Sequence, residues 1–121
     1  MKIIYGTSNK AKIAQIEEYL EYKRINMELI SLADIGFNEE IEEYGTTFEE
    51  NSMIKAKAIQ KYCKKNNIEY PILTDDAGLC VDALNGEPGV YSARYAGDHA
   101  PQIVAITKVL DKMKDVPDEK R

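Results

Sequence analysis

Short apolar runs alternate with stretches of helical periodicity along this chain, and that alternation limits its folds more than any other feature. Lys2 to Gly6 reads as a short buried strand, an Ile-Ile-Tyr run closed by glycine. Thr7-Ser8-Asn9 follows, residue types that favour turns and helix N-caps. From about Lys10 to Tyr22, Ile13, Ile16 and Leu20 recur at helical spacing. Met27 to Leu32 is a second predicted strand, and Asp34 to Gly45 is acidic and irregular. Thr47 with Glu50 three residues on forms a capping box for a helix running to about Lys65, with Ile54, Ala58, Ile59 and Tyr62 facing inward. Ile72 to Thr74 is a third predicted strand and Leu79 to Ala83 a weaker fourth. After the turn cluster Asn85-Gly86-Glu87-Pro88-Gly89, a last helix runs from Gln102 to about Lys114, with Ile103, Ile106, Leu110 and Met113 inward as ordinary core. This order predicts an α/β fold, a mixed β-sheet with flanking helices.

Composition removes several function classes. The 121 residues suit one domain, 1–121. With 16 basic and 21 acidic residues the formal charge is −5, which opposes a general nucleic-acid binder. A small phosphorylated substrate is still compatible, because a local lysine cluster or a metal ion can oppose the global sign. No apolar run approaches the roughly 18 residues of a membrane span. Met1 leads straight into strand-like sequence, so no signal peptide is expected. Cys63 and Cys80 form no CxxC pair or disulfide framework, which points to a reducing, cytoplasmic setting.

Four segments carry chemistry-bearing side chains. Asp75 and Asp76 stand side by side at the end of the third strand, where each raises the other's pKa unless a cation or donor compensates. Mg²⁺ is a usual compensation for such oxygen ligands, so Asp76 is a candidate metal ligand or water activator with Asp75 in support. The bland alternative is a turn capped by aspartate. Thr7-Ser8-Asn9 deliver hydroxyl and amide groups to a helix N-terminus, an anion-favouring place to which Lys12 adds a full charge. Taken alone, a plain N-cap with a solvated lysine is the simpler reading of that segment. It is not a Walker A loop, since GxxxxGK[ST] is absent. Glu43 precedes the Gly45 bend before the second helix, and Lys55 lies about two turns into it; a capped amphipathic helix with an acidic loop is the simpler reading. Gly86 to Tyr95 is either a rigid turn presenting Arg94 and tyrosines to a ligand or a loop anchored by those tyrosines.

Taken in order, these segments closely resemble the inosine triphosphate pyrophosphatase family. The resemblance rests on Thr-Ser-Asn-x-x-Lys from Thr7, Glu-x-Gly-Thr-Thr-Phe-x-Glu-Asn from Glu43 with a later Lys-Ala, Asp-Asp-x-Gly-Leu from Asp75, and Gly-x-Pro-Gly-Val-Tyr-Ser-Ala-Arg-Tyr-Ala-Gly from Gly86. It extends from Met1 to Arg121 and is most specific from Asp75 to Gly97. It implies an enzyme that hydrolyses non-standard purine nucleoside triphosphates (dITP, ITP, XTP) to the monophosphate and pyrophosphate with Mg²⁺. By motif, Thr7, Ser8, Asn9, Lys12 and Lys55 would contact the phosphates, with Ala77 and Gly78 near them. Glu43 and Asp76 would hold the metal, with Asp76 and Asp75 as the catalytic pair. The implied partner is a small-molecule nucleotide, without nucleic acid or membrane, and homodimers are common in the family.

Three departures accompany the resemblance. The family often has Ser or Thr where this chain has Ala77, which would remove one donor, a loss of about 1 kcal/mol. Gln15 stands where a Glu often follows the motif lysine. The family's pattern also continues past Arg121 with further strands and Phe-x-x-Asp-Pro and Ser-His-Arg segments that read the base. The expectation is therefore a truncated domain holding the phosphate and metal half of a site. The alternative is a non-catalytic nucleotide-binding module, or an inactive fragment that needs a complementary chain.

Overall fold

The computed structural model describes residues 1–121, which pack as two compact units, Met1–Asp76 and Ala77–Arg121. The first is an α/β unit. Its elements are β1 (Lys2–Tyr5), α1 (Lys10–Tyr22), β2 (Glu28–Ile30), α2 (Phe48–Lys65) and β3 (Ile72–Leu73). The sheet order is β2-β1-β3, so the first strand lies in the middle. Both pairings are parallel, with Ile4 opposite Ile30 on one side and Ile72 on the other. Parallel neighbours require crossover connections, and α1 and the longer segment through α2 supply them.

Both helices begin where their caps are written. Asn9 Oδ1 accepts from the N–H groups of Ala11 (2.9 Å) and Lys12 (3.3 Å), which starts α1. Thr47 Oγ1 accepts from Glu50 N at 3.1 Å, which starts α2. The return bond of this capping box goes one residue further back than expected: Glu50 Oε2 accepts from Thr46 N (2.6 Å) and Thr46 Oγ1 (3.0 Å). Glu49 and Glu50 near the start of α2 and Lys64 and Lys65 near its end complement the helix dipole.

The core is small and centred on α2. Ile4, Phe37, Ile59 and Cys63 form its buried cluster, with Ile30, Leu32, Ile35, Ile41, Tyr62, Ile68 and Ile72 packed around it. Ile59 and Tyr62, expected on the inner stripe, are in this cluster. The irregular acidic segment contributes more than expected, because its apolar residues dock on α2. The Phe37 ring meets Tyr62 edge-on at 5.2 Å, and the Tyr62 hydroxyl donates to Ile35 O at 3.0 Å. Burial pushes the Cys63 thiol pKa up.

The second unit departs from expectation in two places. Leu79–Ala83 is not a strand. A single bridge pairs Cys80 with Pro88, and Asp82–Leu84 form a 3₁₀ turn. The turn chemistry of Asn85 and Gly86 wins there: both have positive φ, and the N–H of Gly86 returns to Val81 O at 2.9 Å. The last helix, α3 (Gln102–Met113), forms within one residue of its expected end. Its stripe is not core, however: Ile103, Ile106 and Leu110 are exposed, Leu110 at 60%. Periodicity marks an apolar face but does not supply a partner, and the short 3₁₀ turns of this unit do not cover it.

Two substitutions separate these classes. Ile59→Ala, at a side chain with 0% exposure, should destabilise by about 2–5 kcal/mol in a denaturant titration. Leu110→Ala should stay within about 0.5 kcal/mol of wild type in the same titration.

Candidate functional site

The carboxyl ends of β1 and β3 are adjacent, which puts Thr7-Ser8-Asn9 beside Asp75 and Asp76. Gly6 N donates to Leu73 O at 2.7 Å where the two strands diverge. Glycine is needed there, since a Cβ would come within 2.6 Å of Ile59 Cδ1 and 2.7 Å of Thr74 Cγ2. In open parallel sheets this end of the strands is where ligands gather.

Two linked ion pairs occupy the junction. The Asp75 carboxylate is held at both oxygens: Tyr5 Oη donates to Oδ1 (3.1 Å) and Lys12 Nζ to Oδ2 (2.6 Å). Burial raises the Asp75 pKa, but the Lys12 bond and charge, with the Tyr5 hydroxyl, outweigh it and leave the group below the usual carboxylate range. Beside this pair, Lys55 Nζ donates to Asp75 O (2.9 Å) and Asp76 Oδ1 (3.0 Å) and lies 3.2 Å from Glu43 Oε1. The Lys55 side chain is only 15% exposed and Asp76 9%. Burial opposes the Lys55 charge, yet Asp76 and Glu43 more than compensate and its pKa is raised.

The structure thus brings Lys12, Glu43, Lys55, Asp75 and Asp76 into one chain of contacts. Thr7, Ser8, Glu43 and Lys55 share the lining of a cavity of about 230 Å³, which Glu39 and Glu40 make acidic. That volume is below the ~300–1,000 Å³ of a small-molecule pocket. Asn9 spends its side-chain oxygen capping α1, and Thr7 Oγ1 accepts from Asn9 N at 3.1 Å. Ala77 and Gly78 open the second unit and are exposed. In that unit the tyrosine-anchored reading of Gly86–Tyr95 fits: Tyr95 Oη donates to Glu87 at 2.9 Å, and Lys108 Nζ lies 4.4 Å from the Tyr95 ring centre.

Two residues of the first unit were not legible as site residues. Tyr5 continues an apolar strand and gives no sign that its hydroxyl reaches Asp75. Asn51 looks like an ordinary polar helix position, yet it is fully buried and accepts from Gly45 N at 2.8 Å.

Glu43 and Asp76 are the residues suited to a divalent ion. No three His, Cys, Asp or Glu side chains converge into a complete protein cage. Mg²⁺ does not need one, since it keeps several waters and takes phosphate oxygens alongside one or two carboxylates. The donor chemistry fits: the two carboxylates meet at one ammonium and offer oxygen ligands, the kind that Mg²⁺ takes.

The Tyr5 phenol has a measurable signature. Burial first, and then Asp75, raise its pKa from 10.0 to about 12. Its stabilising effect is therefore complete below pH 10 and is lost as pH rises toward 12. Wild-type protein should lose up to about 2–3 kcal/mol more stability over that interval than Tyr5→Phe, measured by urea unfolding at stepped pH.

Known proteins share this arrangement of sequence and fold. The Ham1 family profile matches residues 3–121. A dITP/XTP pyrophosphatase of Leuconostoc mesenteroides is 50% identical over 121 residues, all of this chain and 58% of its own length. One from Bacillus subtilis is 45% identical over 118 residues, 98% of this chain and 56% of its own length. Among solved structures, a HAM1 protein from Coxiella burnetii superposes with a TM-score of 0.78 at 36% identity, over 98% of this chain and 56% of that one. The Staphylococcus aureus Ham1 protein gives 0.74 at 34% identity, over 98% and 57%. The chain therefore spans somewhat over half the length of these relatives. A match across nearly its whole length, in sequence and in backbone, makes this chain a member of the Ham1 family.

Proposed function

We propose that the chain carries the phosphate-handling and metal-handling half of a Mg²⁺-dependent pyrophosphatase for non-standard purine nucleoside triphosphates. The substrates would be dITP, ITP and XTP, and the products a nucleoside monophosphate and pyrophosphate. The observation that carries this reading is the ammonium of Lys55 bonded to Asp76 and the Asp75 carbonyl and paired with Glu43. The names of the relatives, dITP/XTP pyrophosphatases, support the substrate class.

In this reading water attacks the α-phosphorus and the bond to the bridging oxygen breaks, so that pyrophosphate leaves. Lys55 and Lys12 offset the charge of the polyphosphate, with the N-terminal end of α1 adding its dipole. Asp75 holds Lys12 in place until phosphate oxygens compete for it. The carboxylate of Asp76, the least exposed of the cluster's acids, accepts from the attacking water. Glu43 and Asp76 would hold Mg²⁺, which supplies further neutralisation of the phosphates. The same reading takes the cytoplasm as the compartment and a homodimer as the assembly. No helix of the structure is long and apolar enough to cross a membrane.

A second reading is binding of the nucleotide without turnover. Pyrophosphate release from ITP or XTP with Mg²⁺, set against ATP and GTP, separates the two. The proposed function expects release from ITP and XTP well above the others, abolished by EDTA. Binding of ITP and Mg²⁺ without release would favour the module. Asp76→Asn should lower turnover at least about 100-fold while leaving the thermal transition cooperative; full activity in that variant would overturn the role of Asp76.

A further inference from the structure

Asn51 is the largest polar side chain wholly inside the protein, at 0% exposure. Its Oδ1 accepts from Gly45 N, while its Nδ2 has no hydrogen-bond partner. Burying an amide with one donor unpaired is unfavourable, so a structural amide here is retained against its own cost. The bond it makes explains where that cost is offset. Gly45 lies two residues after Glu43, in a turn that has no regular secondary structure to hold it. Asn51 lies one helical turn before Lys55 on α2, so the two side chains emerge on the same face. The helix that places the Lys55 ammonium thus also grips the turn that delivers Glu43 to it. The fit is tight at both ends. A Cβ on Gly45 would meet Asn51 Oδ1 at 2.6 Å and Glu50 Cβ at 2.7 Å. Thr46 next door is bonded to Glu50, but Thr46 and Glu50 are exposed and that contact faces water.

We propose that Asn51 is a positioning residue for Glu43: its carbonyl clamps the Gly45 amide and fixes the Glu43 carboxylate against Lys55 and the metal position. This role rests on the functional reading above, in which Glu43 is a metal ligand. It does not require Asn51 to touch substrate or metal.

The test combines hydrogen exchange with Mn²⁺ binding followed by electron paramagnetic resonance, on the full chain without nucleotide. In Asn51→Leu, exchange of the Gly45 amide should rise at least tenfold while amides of β1 and α1 keep their protection. Mn²⁺ affinity should fall several-fold. Asn51→Asp, which keeps an acceptor at the same place, should preserve Gly45 protection. Gly45→Ala, which breaks the clamp from the other side, should reproduce the Leu phenotype even if Asn51→Leu does not fold. Glu43→Gln should weaken Mn²⁺ on its own, and adding Asn51→Leu to it should weaken it no further, because both act through one carboxylate. Additive losses in that pair would overturn the proposal, as would fast Gly45 exchange with unchanged Mn²⁺ affinity. Wild-type protein that binds no Mn²⁺ would overturn the metal reading and the role built on it, while the Gly45 exchange would still report whether the clamp exists.

Discussion

A lysine ammonium that is mostly withdrawn from water has to be answered by negative charge, and in this fold the lysine and the two carboxylates that answer it come from three separate pieces of chain. Lys55 rises from α2, Asp76 follows β3, and Glu43 comes from an irregular loop. Each of those segments is held by something else: α2 by the core around Ile59, β3 by its pairing with β1, the loop by Asn51 and Tyr62. The cluster is therefore a meeting point for the whole first unit. Removing one partner would leave a buried charge uncompensated, which costs more than the pair itself contributes.

The second pair follows a different logic. Asp75 and Lys12 are each about one-third exposed, so their attraction is screened and adds modestly to stability. What the Asp75 carboxylate does is join two elements by its two oxygens, the phenol of Tyr5 on the central strand and the ammonium of Lys12 in the first turn of α1. Two adjacent aspartates thus divide their tasks. One is tied to a partly exposed lysine, and the other is tucked inside with Lys55.

Much of this was readable from residue order because it is local. Asn9 and Thr47 mark the helix starts through bonds spanning only a few residues, and the structure begins α1 and α2 right after them. The Asp75-Asp76 pair announces an electrostatic problem whatever the fold. What escaped is tertiary. Phe37 and Ile41 have no period because their segment has none, and only the surface of α2 makes them core. Asn51 carries no local sign of its burial. The opposite error occurs on α3, where a regular apolar stripe reads as core and lies open. Leu79–Ala83 fails as a strand because the tight Asn-Gly turn behind it draws Val81 into local bonds: its carbonyl accepts from Leu84 N and Gly86 N, and its N–H donates to Glu87 O.

The two cysteines differ in a way that follows from the core. Cys80 is exposed and Cys63 is buried on the inner face of α2, where burial suppresses its thiolate. An alkylating reagent would label the first thiol in the native protein and reach the second only during excursions that separate the helix from the sheet. The pair is a natural clock: the lag between the two adducts measures how often the interior breathes.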